Sequence, residues 1–182
     1  MEKTTDPRIL RTRQLIMDAF MQLVIEKDFK NMTIKDITER ATVNRSTFYY
    51  HFLDKYDLLE KVLAEDVLNG VLTNVNAQDA LTSESMTNIF KSILKFHQGL
   101  RNQCSRSYEA FTPKIETIVK EELERIFNQF LKEQHPDWPI EKIELKSIML
   151  SWSLYGMSTK YVKSGETPTE EIIQELFEKI TN

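Results

Sequence analysis

The stretch Met32-Thr33-Ile34-Lys35-Asp36-Ile37-Thr38-Glu39-Arg40-Ala41-Thr42-Val43-Asn44-Arg45-Ser46-Thr47-Phe48-Tyr49-Tyr50-His51-Phe52 decides how this chain is read. Two short helical patterns flank a tight turn. In the first, Ile34, Ile37 and Ala41 recur at helical spacing and form an inner face. Thr33 can cap that helix, with Asp36 three residues on as a shorter version of the capping box. In the second, Phe48 and Phe52 stand four residues apart and point into the same small core. At about 100° per residue, Ser46, Thr47 and Tyr50 then point outward, with Tyr49 and His51 on opposite flanks. A very short helix with hydroxyls, aromatics and a cation outside is built like a recognition helix for the DNA major groove.

Working outward, the first helix is predicted from Pro7 to about Lys27. Asp6 can cap it, Pro7 suits its first position, and Ile16, Ala19, Phe20, Leu23 and Val24 share a face. Asp54 can cap a fourth helix carrying Leu58, Leu59, Val62, Leu63 and Val67. Residues 74–85 are polar and read as a loop. Periodicity resumes at Ile89, Phe90, Ile93, Leu94 and Phe96, and Tyr108 and Phe111 suit a short helix. Thr112-Pro113 then starts a long amphipathic helix that His135-Pro136-Asp137-Trp138-Pro139 stops. A further helix over 140–163 ends at Gly165, and Thr167-Pro168-Thr169 starts the last one. The expectation is an all-α chain of about nine helices. Residues 1–55 form a three-helix helix-turn-helix head for DNA, and 56–182 a helical-bundle body for regulation and dimerisation.

Composition agrees. With 4 Gly and 5 Pro in 182 residues, the chain has too few breakers for a sandwich or barrel. No apolar run is long enough to span a membrane, and the N-terminus lacks a signal-peptide core, so a cytoplasmic protein is expected. The single Cys104 excludes an internal disulfide framework and, with no second cysteine to resolve it, reads as inert rather than as a redox switch. Net charge is −4, which argues against a non-specific nucleic-acid coat, but residues 1–55 hold 10 Lys+Arg against 8 Asp+Glu. The excess clusters at Arg8, Arg11, Arg13, Lys35, Arg45 and Lys55, a small basic patch on an acidic body. His51, His97 and His135 lack metal-ligand spacing. There is no Gly-rich phosphate loop, and Ser151-Trp152-Ser153 lacks a hydrolase elbow. An enzyme, a metal site and a cofactor are therefore not expected.

The run Thr47-Phe48-Tyr49-Tyr50-His51-Phe52, followed by Asp54-Lys55 and Leu58-Leu59, resembles the TetR family of bacterial transcriptional regulators. The resemblance covers the first 60 or so residues, and beyond them only the layout. It implies a regulator of transcription. In two places the chain departs from the pattern. The family usually has Gly in the helix-turn-helix turn, where this chain has Thr42, and often just after the first helix, where it has Asp28. Either Thr42 avoids positive φ or the turn differs slightly.

Arg45, Ser46 and Thr47 are the candidates for base contact, the outward Tyr50 is a further DNA-binding candidate, and Tyr49, His51 and Lys55 are candidates for phosphate. Lys55 falls near a helix N-terminus, where an anion is favoured. In the family, residues matching Tyr49, His51 and Lys55 contact the DNA backbone, and Lys35 matches a position that can face DNA. In the body, the helix over 140–163 is apolar almost all round, so one side needs a partner. The resemblance favours a homodimer through Trp152, Tyr155, Gly156, Ile173 and Phe177, which suits double-stranded DNA with a palindromic operator. Family members commonly bind a small-molecule effector, for which Phe96, His97, Tyr108, Phe111, Phe127, Trp152 and Tyr155 are candidates. The expected function is a dimeric repressor under effector control. The alternative is the same fold controlled by a protein partner docking on the body.

Overall fold

A computed structural model of the chain describes residues 6–71 and 81–181, and for 66–71 and 181 the helical backbone alone. The Val67 side chain and much of the loop expected over 74–85 lie outside them. Among the described residues there are eight α-helices, one 3-10 turn and no strand. They are α1 Pro7–Glu26, the 3-10 turn Phe29–Asn31, α2 Ile34–Ala41, α3 Arg45–His51, α4 Lys55–Val71, α5 Ser83–Gln103, α6 Tyr108–Gln134, α7 Ile140–Ser164 and α8 Glu170–Thr181.

Two compact units divide the chain, Met1–Leu63 with Asn102–Thr112, and Ala64–Arg101 with Pro113–Asn182. The division falls after Leu63 rather than at residue 55, and the first unit, the head, takes in a segment from mid-chain. Phe29 explains why. Its ring meets Phe20, Tyr56 and Phe111 edge-on, with centroids 6.0, 5.3 and 5.3 Å away. Such edge-to-face pairs add to the area they bury. The Phe29 amide donates to Ser107 Oγ at 2.9 Å inside the core, and Arg106 Nη1 donates to the Glu26 carbonyl at 3.0 Å. Without residues 102–112 the head would lose one wall of its core.

That segment also changes the helix boundary. Instead of a short helix followed by a new one at Pro113, α6 runs unbroken from Tyr108 through Pro113. Pro113 gives up the hydrogen bond to the Glu109 carbonyl and crowds it, on a side of the helix that lies open to water. Thr112 Oγ1 adds a bond at the helix start, donating to the Tyr108 carbonyl at 3.0 Å.

Elsewhere in the head the helix ends follow local chemistry. Asp6 caps α1 by accepting from the Arg8 amide at 2.9 Å. The expected α1 row of Ile16, Ala19, Phe20, Leu23 and Val24 is buried. Asp28 has φ −61° and caps the 3-10 turn through the Lys30 amide, so no glycine is needed after α1. Asp54 Oδ1 accepts from the Tyr56 and Asp57 amides, both at 2.8 Å, and opens α4.

The body is a helical bundle with Phe90, Ile93, Ile115, Val119, Leu123, Phe127, Leu154 and Phe177 in its core. Phe90 on α5 meets Tyr161 on α7 and Phe177 on α8 edge-on, at 6.2 and 6.4 Å. Arg101 Nη1 donates to the Val162 carbonyl at 3.1 Å, and Gly165, with φ 75°, ends α7. The inner stripe of α7 is not its most apolar one. It carries Ile143, Leu150, Leu154 and Val162 interleaved with Ser147, Ser151 and Ser158. Each of these serines donates to a carbonyl of its own helix, on Ile143, Ile148 and Tyr155, at 2.8–2.9 Å. They bury no unmet hydroxyl and leave room for a close neighbour.

Candidate nucleic-acid interface

The outer face of the head is built by α2, the turn after it, and α3. At the start of α2 the expected capping box is present. Asp36 Oδ2 accepts from the Thr33 amide at 2.7 Å, and Thr33 Oγ1 accepts from the Asp36 amide at 3.2 Å. Lys27 Nζ adds a bond to Asp36 Oδ2 at 2.7 Å. That bond first, and the Thr33 amide second, hold the Asp36 carboxyl down to about 2 from the usual 3.8. At the other end of α2, Arg40 grips the Glu26 carboxylate with two nitrogens, at 2.6 and 3.1 Å. Both ends of α2 are thereby tied to the last turns of α1.

Thr42 closes α2 at φ 56° and ψ 43°, in the left-handed region. Its amide donates to the Glu39 carbonyl at 3.3 Å and the Val43 amide to Thr38 at 3.0 Å. Of the two readings left open above, the first falls: Thr42 adopts the conformation in which glycine is usual, at a cost of about 1–2 kcal/mol.

Asn44 then caps α3. Phe48 and Phe52 turn into the core as expected, at 0% and 2% exposure. Arg45, Ser46, Tyr49 and Tyr50 are exposed and Thr47 half-buried, so the base-reading candidates share one open face. Arg45 Nη2 donates to the Tyr49 hydroxyl at 3.3 Å, and its guanidinium lies 5.7 Å from that ring. The Tyr49 proton stays available to an acceptor such as phosphate. Lys35 is open to solvent, with only a loose ion pair to Glu39 at 3.7 Å. His51 is half-buried, and burial first and Arg13 second lower its pKa, so it is neutral at pH 7 and meets an acceptor as an N–H donor.

Lys55 requires a correction. Its ammonium is not free for phosphate: it donates to the carbonyls of Phe29, Lys30 and Met32 at 2.9, 3.2 and 2.9 Å. An ammonium has three hydrogens, and all three are engaged. Lys55 clasps the 3-10 turn and stands 4.7 Å from the Phe29 ring. Asn44 was missed in the sequence, although an Asn directly before a short helix is a standard cap signal.

The sequence model described as "Bacterial regulatory proteins, tetR family" matches residues 16–62, the helix-turn-helix and its flanks. This region of the chain is similar to the TetR family. It is 40% identical over 63 residues to the uncharacterized HTH-type transcriptional regulator YxbF of Bacillus subtilis (strain 168). That match covers 34% of this chain and 17% of the relative. It is 25% identical over 123 residues to the HTH-type transcriptional repressor DhaR of Mycobacterium sp. (strain GP1), covering 66% of this chain and 62% of the relative. The chain thus spans less than two thirds of either relative. Among solved structures, a TetR transcriptional regulator from Streptococcus agalactiae 2603V has a TM-score of 0.62 at 22% identity, with 97% of each chain covered. That likeness speaks for the fold.

The body redistributes the remaining candidates. Phe96, His97 and Tyr155 do meet: the His97 ring lies 5.7 Å from each of the other two. His97 is wholly buried, and burial pushes its pKa down to about 4. Phe127 sits in the body core. Tyr108 and Phe111 belong to the head, where Phe111 packs on Phe29, so they leave the effector set. Trp152 faces solvent at 58% exposure, with Lys120 Nζ 3.4 Å from its ring centroid. For the dimer set, Trp152 and Gly156 are exposed, but Tyr155, Ile173 and Phe177 are buried within the chain and offer a partner nothing. The outward apolar side chains among the described residues are Ile140, Leu145, Ile148, Met149 and Trp152 on α7 and Ile172 and Leu176 on α8. Among the described residues, no helix is long and apolar enough to cross a membrane, and no three His, Cys, Asp or Glu side chains are grouped to hold a metal.

Proposed function

We propose that this chain is a sequence-specific DNA-binding regulator of transcription of the TetR family, a homodimeric repressor acting on a palindromic operator. The observation that carries the reading is the outer face of α3: Arg45, Ser46, Tyr49 and Tyr50 stand open over a buried Phe48–Phe52 pair. A helix of 7 residues needs no such outer face to fold, and donors, hydroxyls and aromatics are the groups that meet bases and phosphates. The repressor named among its relatives supports the sign of regulation. Titration of the purified chain against a random duplex library, with and without Arg45→Ala, tests the reading. Enrichment of one sequence that changes with Arg45→Ala supports it. Binding that ignores both sequence and salt would overturn it.

Dimerisation is supported by the outward apolar row on α7, where Leu145, Met149 and Trp152 stand at i, i+4 and i+7. Beside it an apolar groove of about 760 Å³ is lined by Leu145, Met149, Leu150 and Ile180, with Lys142 and Lys146 among its walls. Contiguous apolar surface of this kind is covered by a second protein surface. Sedimentation equilibrium at low micromolar concentration should give twice the chain mass for the wild type and a monomer for Met149→Glu. A monomeric wild type would transfer this face to a different protein partner. For an effector, the Phe96–His97–Tyr155 cluster, with Phe96 half-buried and the other two buried, is the best-supported place, since it sets two polar tips beside apolar groups. A compound that raises the melting temperature of the wild type but not of Tyr155→Phe would establish it.

A further inference from the structure

We infer that Asn44, without touching a base, sets which bases Ser46 and Thr47 can read; this deepens the DNA-binding reading above and rests on it. The Asn44 side-chain oxygen accepts three hydrogen bonds, from the Thr47 amide at 2.7 Å, the Ser46 hydroxyl at 2.6 Å and the Thr47 hydroxyl at 2.8 Å. The amide bond fixes the orientation of the side chain. A backbone N–H can only donate, so the atom facing it is the carbonyl oxygen and not the amide nitrogen. That oxygen carries no hydrogen, so both hydroxyls must donate to it.

A hydroxyl has one hydrogen and two lone pairs. With the hydrogen turned back to Asn44, Ser46 and Thr47 present lone pairs alone. Free serine and threonine suit either a donor or an acceptor on a base edge. Here they are made acceptors. In the major groove the donors are the exocyclic amino groups, N6 of adenine and N4 of cytosine, while guanine O6 and N7 and thymine O4 are acceptors. Asn44 therefore selects amino-bearing edges opposite Ser46 and Thr47 and rejects guanine and thymine edges there. Arg45, with donors only, seeks the opposite kind of edge beside them. The helix start carries a donor–acceptor–acceptor pattern in three consecutive residues. Asn44 is a positioning residue for sequence choice.

The test uses the full chain and its best duplex from a random library. At each base pair of a half-site, adenine is replaced by purine, or cytosine by 2-pyrimidinone, which removes only the amino group. The wild type should lose about fivefold in affinity at two positions, the worth of one net hydrogen bond each. Ser46→Ala should become insensitive at one of them. Asn44→Gly, which stays folded because glycine is tolerated at this helix position, should relax the choice at both, admitting guanine or thymine edges there, because the freed hydroxyls can donate as well as accept. Asn44→Asp should bind all sequences more weakly, through phosphate repulsion, yet keep both sensitivities. The inference is overturned if the wild type ignores amino removal wherever Ser46→Ala alters binding, or if Asn44→Gly rejects guanine and thymine edges at these positions as strongly as the wild type. If no duplex is enriched at all, the DNA-binding reading itself falls.

Discussion

In the head, α3 shows Arg45, Tyr49 and Tyr50 to the outside over two buried phenylalanines. In the body, α7 shows Leu145, Met149 and Trp152 to the outside over buried serines. The two helices invert each other. A polar, donor-rich outer face matches a hydrated, charged partner whose base edges must be read group by group. An apolar outer face matches a surface that excludes water. The inner faces follow different rules too. The head ties its elements together with exposed or half-buried polar groups, such as Lys27–Asp36, Arg40–Glu26 and the Lys55 clasp. Polar groups inside the body are few and short, or buried outright as in His97.

This contrast predicts that acid acts on the body first. His97 has a folded-state pKa of about 4 against 6.5 for an exposed imidazole. The folded protein binds fewer protons than the unfolded chain between those values, so its stability is full above pH 6.5 and declines as pH falls toward 4. The loss at pH 4 is on the order of 3 kcal/mol. Denaturation midpoints across that range should fall for the wild type and stay flatter for His97→Phe. Asp36 in the head acts in a lower window: its depressed pKa stabilises above 3.8, and that is lost as pH falls toward about 2.

A smaller effect sharpens the head side. Lys55→Met should destabilise the head by about 2 kcal/mol, because three carbonyls lose a charged donor. The slope of DNA affinity against salt should stay unchanged, since no phosphate contact is lost. A slope reduced by about one unit would instead make Lys55 a phosphate ligand. Smallest of all, Thr42→Gly should raise the unfolding free energy by about 1 kcal/mol, by relieving the left-handed threonine. A destabilised Thr42→Gly protein would mean that the threonine side chain contributes more than its backbone costs.

Much of the head was legible because its signals are local. Phe48 and Phe52 at four-residue spacing, the Thr33–Asp36 box and the Asp54 cap each involve neighbours in sequence, and each stands as read. Lys55 was misread because its partners lie 23 to 26 residues earlier, in a turn whose position the sequence does not reveal. Tyr108 and Phe111 were placed in the body for the same reason: periodicity shows that a residue is apolar, not which core it joins. In α7 the apolar count was right but the direction was not. Tyr155 turns inward and Trp152 outward, because three self-satisfied serines mark the inner stripe. A rule that ranks residues by hydrophobicity puts serine outside; one that counts its bond to its own helix does not.

The central claim, that the head reads DNA and the body pairs two copies, is tested most directly by the shape of the sequence the wild-type chain selects from random duplex DNA. The account predicts a two-fold symmetric sequence with two half-sites, each changed at the same position by Arg45→Ala. A single asymmetric half-site would contradict the pairing, and a sequence unaltered by Arg45→Ala would contradict the assignment of α3.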